Sequence, residues 1–119
     1  MALRWFSFAS MLLATVTTGL FLTRRAPAFG EKVVLENERV QVIEYALKPG
    51  VAMGMHSHPR DRVEITLTGG RVRVTTEDGK IQEAVEKDGD VVFQKGSPAR
   101  HDVVNIGSTT LRAYHVELK

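Results

Sequence analysis

From residue 31 onward, apolar and polar positions alternate in short runs separated by turn residues. Val33 to Leu35 and Arg39 to Leu47 alternate, and the second run stops at Pro49-Gly50. Val63 to Thr68 alternates cleanly and ends at Gly69-Gly70. Arg71 to Thr76 and Lys80 to Val85 flank Asp78-Gly79, a pair that predicts a type I′ hairpin turn. After the turn at Asp88-Gly89 come Val91-Val92-Phe93, a loop over Lys95 to Ala99, and strands over His101 to Ile106 and Leu111 to Leu118. No stretch repeats apolar residues at spacings of three and four, so helix content is expected to be low. Eight or nine short strands with tight turns predict an all-β antiparallel sandwich or barrel. Alternate residues then point inward, where a polar side chain is costly unless it is paired or ligated.

The first 28 residues follow another pattern. Residues 5–22 carry no charge, Arg4 precedes them, and Ala26-Pro27-Ala28 places small residues two apart. This predicts a signal peptide cleaved after Ala28, and a protein that is exported to the periplasm or the cell exterior. The apolar run is close to spanning length, and Arg24-Arg25 follow it, so an uncleaved membrane anchor over residues 5–22 is the alternative. In both cases the N-terminal segment inserts in or crosses a membrane. Residues 29–119 form the folded domain.

Composition narrows the chemistry. The 119 residues include no cysteine, which excludes disulfides, thiolate ligands and a cysteine nucleophile. The formal charge of +2 comes from the leader: without Arg4, Arg24 and Arg25, 13 basic residues face 14 acidic ones. A near-neutral body gives no electrostatic footprint for nucleic acid.

The residues richest in chemistry are His56 and His58. Side chains two apart on a strand share a face, so both imidazoles can reach one point. A histidine from a distant strand, His101, would complete a three-nitrogen site for a divalent transition metal. Imidazole and carboxylate donors suit Fe, Mn, Ni, Cu or Zn. Alone, each histidine has a plainer reading: His56 and His58 as polar loop residues before Pro59, His101 as a hydrogen-bonded barrel residue. His115 is read as structural or surface, because Leu111 and Ala113 favour one face of its strand and Tyr114, Val116 and Leu118 the other.

Residues 50–70 and 89–105 together resemble the two motifs of the cupin superfamily, the double-stranded β-helix jelly roll. Gly50, His56, His58 and Gly69 match the first motif. Gly89, His101 and Asn105 match the second, with Lys95-Gly96-Ser97-Pro98 as a variant of its turn. The resemblance spans about residues 35–118. It implies a jelly-roll barrel in which His56, His58 and His101 hold one metal ion, with Asn105 fixing strand geometry.

The chain departs from the family at one ligand. Where the first motif carries a glutamate this sequence has Arg62, and the nearby carboxylates are Asp61 and Glu64. Glu64 shares a face with Arg62 but sits about 6–7 Å further along a regular strand. A bulge near Pro59-Arg60-Asp61 would recover part of that distance. Three arrangements follow. The site is three histidines with open positions, as in the cupin-type thiol dioxygenases it then resembles. Or Glu64 is a fourth ligand. Or Arg62 enters the pocket and binds an anion such as a substrate carboxylate, since an arginine beside a dication needs an anion between them. The functions implied are a metal-dependent small-molecule oxygenase or isomerase, or else a non-catalytic module binding a small molecule or metal; fold alone does not choose. Open sheet edges make a homodimer a further expectation.

Overall fold

The computed structural model describes residues 29–119, and the export segment expected over residues 1–28 lies outside them. Every regular element among the described residues is a strand: β1 Phe29–Glu36, β2 Val40–Leu47, β3 His56–His58, β4 Arg62–Thr68, β5 Gly70–Thr76, β6 Ile81–Glu86, β7 Val91–Gln94, β8 Ser97–Asn105 and β9 Leu111–Leu118. They form two antiparallel sheets, one in the order β1-β2-β9-β4-β7 and one in the order β3-β8-β5-β6. The chain passes repeatedly from one sheet to the other, giving the expected jelly-roll barrel.

The turns work through glycine. The Pro49-Gly50 turn closes with the Val51 N–H on the Lys48 carbonyl, and Gly50 takes φ 78°, the conformation a type II turn needs at its third residue. The Asp78-Gly79 hairpin differs from the type I′ expectation. That turn needs positive φ at both central residues, and among the described residues only glycines have positive φ. Here Gly79 N–H bonds the Thr76 carbonyl and Thr76 N–H bonds the Lys80 carbonyl, so the loop holds three residues with glycine last. Asp78 stays in the ordinary region, and its carboxylate accepts the Thr76 hydroxyl.

Two strands begin earlier than expected. β1 starts at Phe29 rather than Val33, and Ser97 to Ala99, read as loop, open β8, where Ser97 pairs with His58 of β3. The buried apolar core is small: Leu47, Val72 and Leu111, with Phe29, Val51, Met53, Val74 and Val103 against it. Asn105, fully buried, braces this cluster by donating to the Leu47 and Thr109 carbonyls and accepting from the Gly107 N–H. Leu47, Val72 and Leu111 also line a cavity of about 350 Å³.

Candidate metal centre

The three histidines of the two motifs meet in that cavity. His56 and His58 stand on β3, and His56 lies directly opposite His101 on β8 in the same sheet. The loop before β3 is fixed by Gly54, whose N–H bonds the Asp102 carboxylate at 2.9 Å, so the residue beside His101 anchors the segment that delivers His56. With φ 88°, Gly54 also turns its carbonyl onto His56 Nδ1 at 2.7 Å. A carbonyl only accepts, so Nδ1 carries the proton and Nε2 keeps its lone pair. Second partners of this kind orient metal-binding imidazoles.

His56 Nε2 lies 3.1 Å from His58 Nε2, and the three histidines offer nitrogen atoms all within 4.8 Å of one another. Two imidazole nitrogens each about 2.0–2.1 Å from one ion stand roughly 2.9–3.4 Å apart, so the first pair already has a ligand spacing. The electrostatics agree with the donor chemistry, because a metal takes neutral imidazole. Burial first, then the Arg62 charge, pushes His58 down to about 3. Burial and then His56 and Arg62 lower His101. The residues present therefore fit a divalent transition metal.

Arg62 and Glu64 reach the cavity from the opposite sheet. Residues 59–61 carry the chain from β3 across to β4, so the expected bulge is a crossing between sheets. Asp61 serves that crossing: its carboxylate accepts the Gly96 N–H and its carbonyl the Leu118 N–H. Arg62 is buried at 7% exposure, and its Nε and Nη2 lie 2.7 and 2.6 Å from the same oxygen of Glu64. Glu64 stands outside the three-histidine group and faces the guanidinium. The anion that a cation at this position requires is thus supplied by the chain itself. Three N–H groups of the guanidinium remain for another acceptor.

Tyr45 and Glu86 line the cavity without having been singled out from sequence, and so does His115, which was read as structural or surface. His115 faces inward with Leu111 and Ala113, its ring 5.5 Å from that of His58 and 4.5 Å from that of Tyr45. Its Nε2 is 3.8 Å from the Glu64 carboxylate, and its Nδ1 is buried without a hydrogen-bond partner. Burial, then Arg62 and His56, pushes it down to about 4. Tyr45 is pushed up to about 12 by burial, with Glu31 and Glu117 adding to it. Glu86 lines the wall from β6, raised by burial and by Glu64 and Asp90. The register Glu64↔His115 shows what would have placed His115: it follows once Glu64 is known to face inward.

Other side chains near the site have structural or surface places. Met53 lines the cavity and Met55 is exposed. Glu44 lies on the outer face, bonded to Arg112. Arg71 and Arg73 both pair with Glu83 on a solvated face.

The fold and its histidine cluster belong to a known class: the chain is a small single-domain member of the cupin superfamily. Among curated proteins it is similar to the beta-alanine degradation protein BauB of Pseudomonas aeruginosa, 30% identical over 87 residues that cover 73% of this chain and 90% of that one. Among solved structures it is similar to a cupin domain of Bordetella pertussis Tohama I, with TM-score 0.71, 27% identity, and 81% and 98% of the two chains covered. An RmlC-like cupin with a double-stranded β-helix fold from Methanocaldococcus jannaschii shares the fold, at TM-score 0.61 and 23% identity over 80% and 84% of the chains. No family profile matches the chain.

Proposed function

We propose that this protein is an exported cupin that holds one divalent transition metal on His56, His58 and His101 and binds a small carboxylate beside it through Arg62. The observation that carries the reading is the gathering of three imidazoles within one cavity, with the neutral forms of His58 and His101 favoured and the His56 tautomer set by Gly54. When bound, such an ion supplies Lewis acidity and open coordination positions for water, dioxygen or a ligand. His56 and His58 present their nitrogens from β3. Arg62, held in the cavity wall by Glu64, directs its free N–H groups at an acidic ligand. Glu64 balances the guanidinium and leaves the cavity able to accept a dication. The apolar run over residues 5–22 and the Ala26-Pro27-Ala28 pattern support export.

Two activities suit this arrangement. An oxygenase or isomerase acting on a small acid agrees with the open three-nitrogen set. A binding module without turnover is favoured by one feature: the carboxylate nearest the histidines, Glu64, is taken up by Arg62 rather than free as a base. The name of the Pseudomonas relative makes β-alanine a rational carboxylate probe. Cobalt(II) reports on both parts of the proposal through its visible absorption. The expected result is a stoichiometric cobalt spectrum that is lost in His56→Ala and that shifts on adding β-alanine or acetate. Arg62→Met should keep the cobalt spectrum and lose the shift. A cobalt signal indifferent to His56→Ala would refute the metal site, and an unchanged carboxylate response in Arg62→Met would refute the role of the arginine.

A further inference from the structure

The cavity extends well away from the histidines. In the smaller sheet His101 on β8 lies opposite Thr76 on β5, whereas Glu86 on β6 lies opposite Gly70. Six residues of β5, at about 3.3 Å each, separate the two rows by roughly 20 Å before twist and side-chain reach shorten the distance. Glu86 nevertheless lines the same cavity as the three histidines. It lies outside their group, so it is not a further ligand of that centre.

The surroundings of Glu86 are apolar. A Cβ on Gly70 would stand 2.9 Å from Leu111 Cδ2, so Leu111 packs over the glycine that faces Glu86 across the strand pair. Val72 and Ala84, the next inward pair along the same two strands, also line the cavity. On the facing sheet Phe29 and Tyr45 stack with ring centroids 6.0 Å apart. A carboxylate in such a place is costly without a partner of opposite charge. Among the described residues Glu86 has none. The charges that act on it, Glu64 and Asp90, share its sign, and with burial they raise its carboxyl. Arg62 does not compensate it, because its guanidinium is held by Glu64. The Glu86 oxygens stay accessible, since His115 Nδ1 is the sealed-off side-chain atom that lacks a partner among the described residues.

We propose that Glu86 receives a protonated amine, and that the ligand of this cavity is an amino acid whose ammonium lies several bonds from its carboxylate. The inference rests on the reading of Arg62 as the carboxylate site. Arg62 stands at the histidine end, where its charge acts on His58 and His101, and Glu86 stands at the other. An α-amino acid holds its two charges too close together to reach both. A hydroxyl in place of the ammonium would leave the Glu86 charge uncompensated, and one carboxylate is too few donors for a second metal ion. The about 350 Å³ of the cavity is at the small end for ligand sites and suits a short aliphatic chain between the two charges.

Calorimetric titration of the full-length protein tests this with 4-aminobutyrate, 5-aminopentanoate and 6-aminohexanoate, each against its hydroxy counterpart. At one chain length or more the amino acid should bind about tenfold tighter, as a charge-assisted hydrogen bond implies. Glycine and glycolate should bind alike. Glu86→Gln keeps the size of the side chain and breaks no bond in the structure; it should abolish the preference and leave the hydroxy acids unaffected. Arg62→Met should weaken both members of a pair together. Equal binding of amino and hydroxy acids at every length, or a preference that survives Glu86→Gln, would overturn the proposal. If no carboxylate binds, the reading of Arg62 fails on its own, and butylammonium then tests Glu86 alone. It should bind the unmodified protein and not Glu86→Gln, and equal binding to the two, or to neither, would overturn the role of Glu86.

Discussion

Acidifying the metal-free protein should unfold it, with a slope set by the two most buried histidines. His58 is pushed down to about 3 and His115 to about 4, from an ordinary value of 6.5. The sign follows from proton counting. Between the folded and unfolded values the unfolded chain binds protons that the folded chain refuses, so stability rises with pH. The contribution is complete above about pH 6.5 and is lost as pH falls toward 4 and then 3. At pH 5 the unfolded form of each histidine is almost wholly protonated and the folded form almost wholly neutral, a gap of about 1.5 pKa units. At 1.36 kcal/mol per unit this is about 2 kcal/mol for each, or about 4 kcal/mol together between pH 8 and pH 5. His101 adds in the same direction, since burial, His56 and Arg62 lower it too. Glu86 acts oppositely, because its carboxyl is raised and gains a proton more readily when folded; its effect begins only as pH approaches the carboxylate range. The assay is urea unfolding in chelator at pH 8, 7, 6 and 5, with His115→Phe in parallel. The unfolding free energy should fall by about 4 kcal/mol in the unmodified chain and by about half that in the variant. A stability that is flat over this range, or a slope the variant shares in full, would refute the burial of neutral imidazoles in the cavity.

Two other substitutions test how the barrel is braced. Asn105→Ala strands the Leu47 and Thr109 carbonyls and the Gly107 N–H, which should cost about 3–5 kcal/mol in chemical denaturation; a loss under about 1 kcal/mol would mean water replaces the amide. Gly69→Ala would drive its Cβ into the Glu86 carbonyl, a backbone atom that cannot rotate away, and should cost about 3 kcal/mol or more. Gly79→Ala meets open space and only the strain of φ 86°, about 1–2 kcal/mol, so equal melting temperatures for the two variants would contradict the packing of β6 on that glycine.

The sequence held most of the fold because strand alternation and glycine turns are local signals. Pro49-Gly50 and Asp88-Gly89 punctuate the strands where the structure turns. His56, His58 and His101 were also legible, through a two-residue spacing and a second motif. What was hidden depends on facing. His115 could not be assigned because β9 is apolar on both sides, and the usual inference that apolar means inward fails on a sheet whose outer face is also apolar. Glu64 was weighed as a fourth ligand beside the histidines from its spacing to Arg62 along one strand. It stands on the other sheet, and register across sheets has no signature in residue spacing. The salt bridge that ties it to Arg62 follows from that placement.

The central claim is that His56, His58 and His101 form one metal centre in spite of Arg62. Elemental analysis of full-length protein, reloaded with a divalent transition metal and freed of excess, tests it most directly. The expected result is one ion per chain, reduced to trace level in His56→Ala and in His101→Ala, with both variants still folded. Metal well below one per chain, or metal retained equally by the two variants, would contradict it.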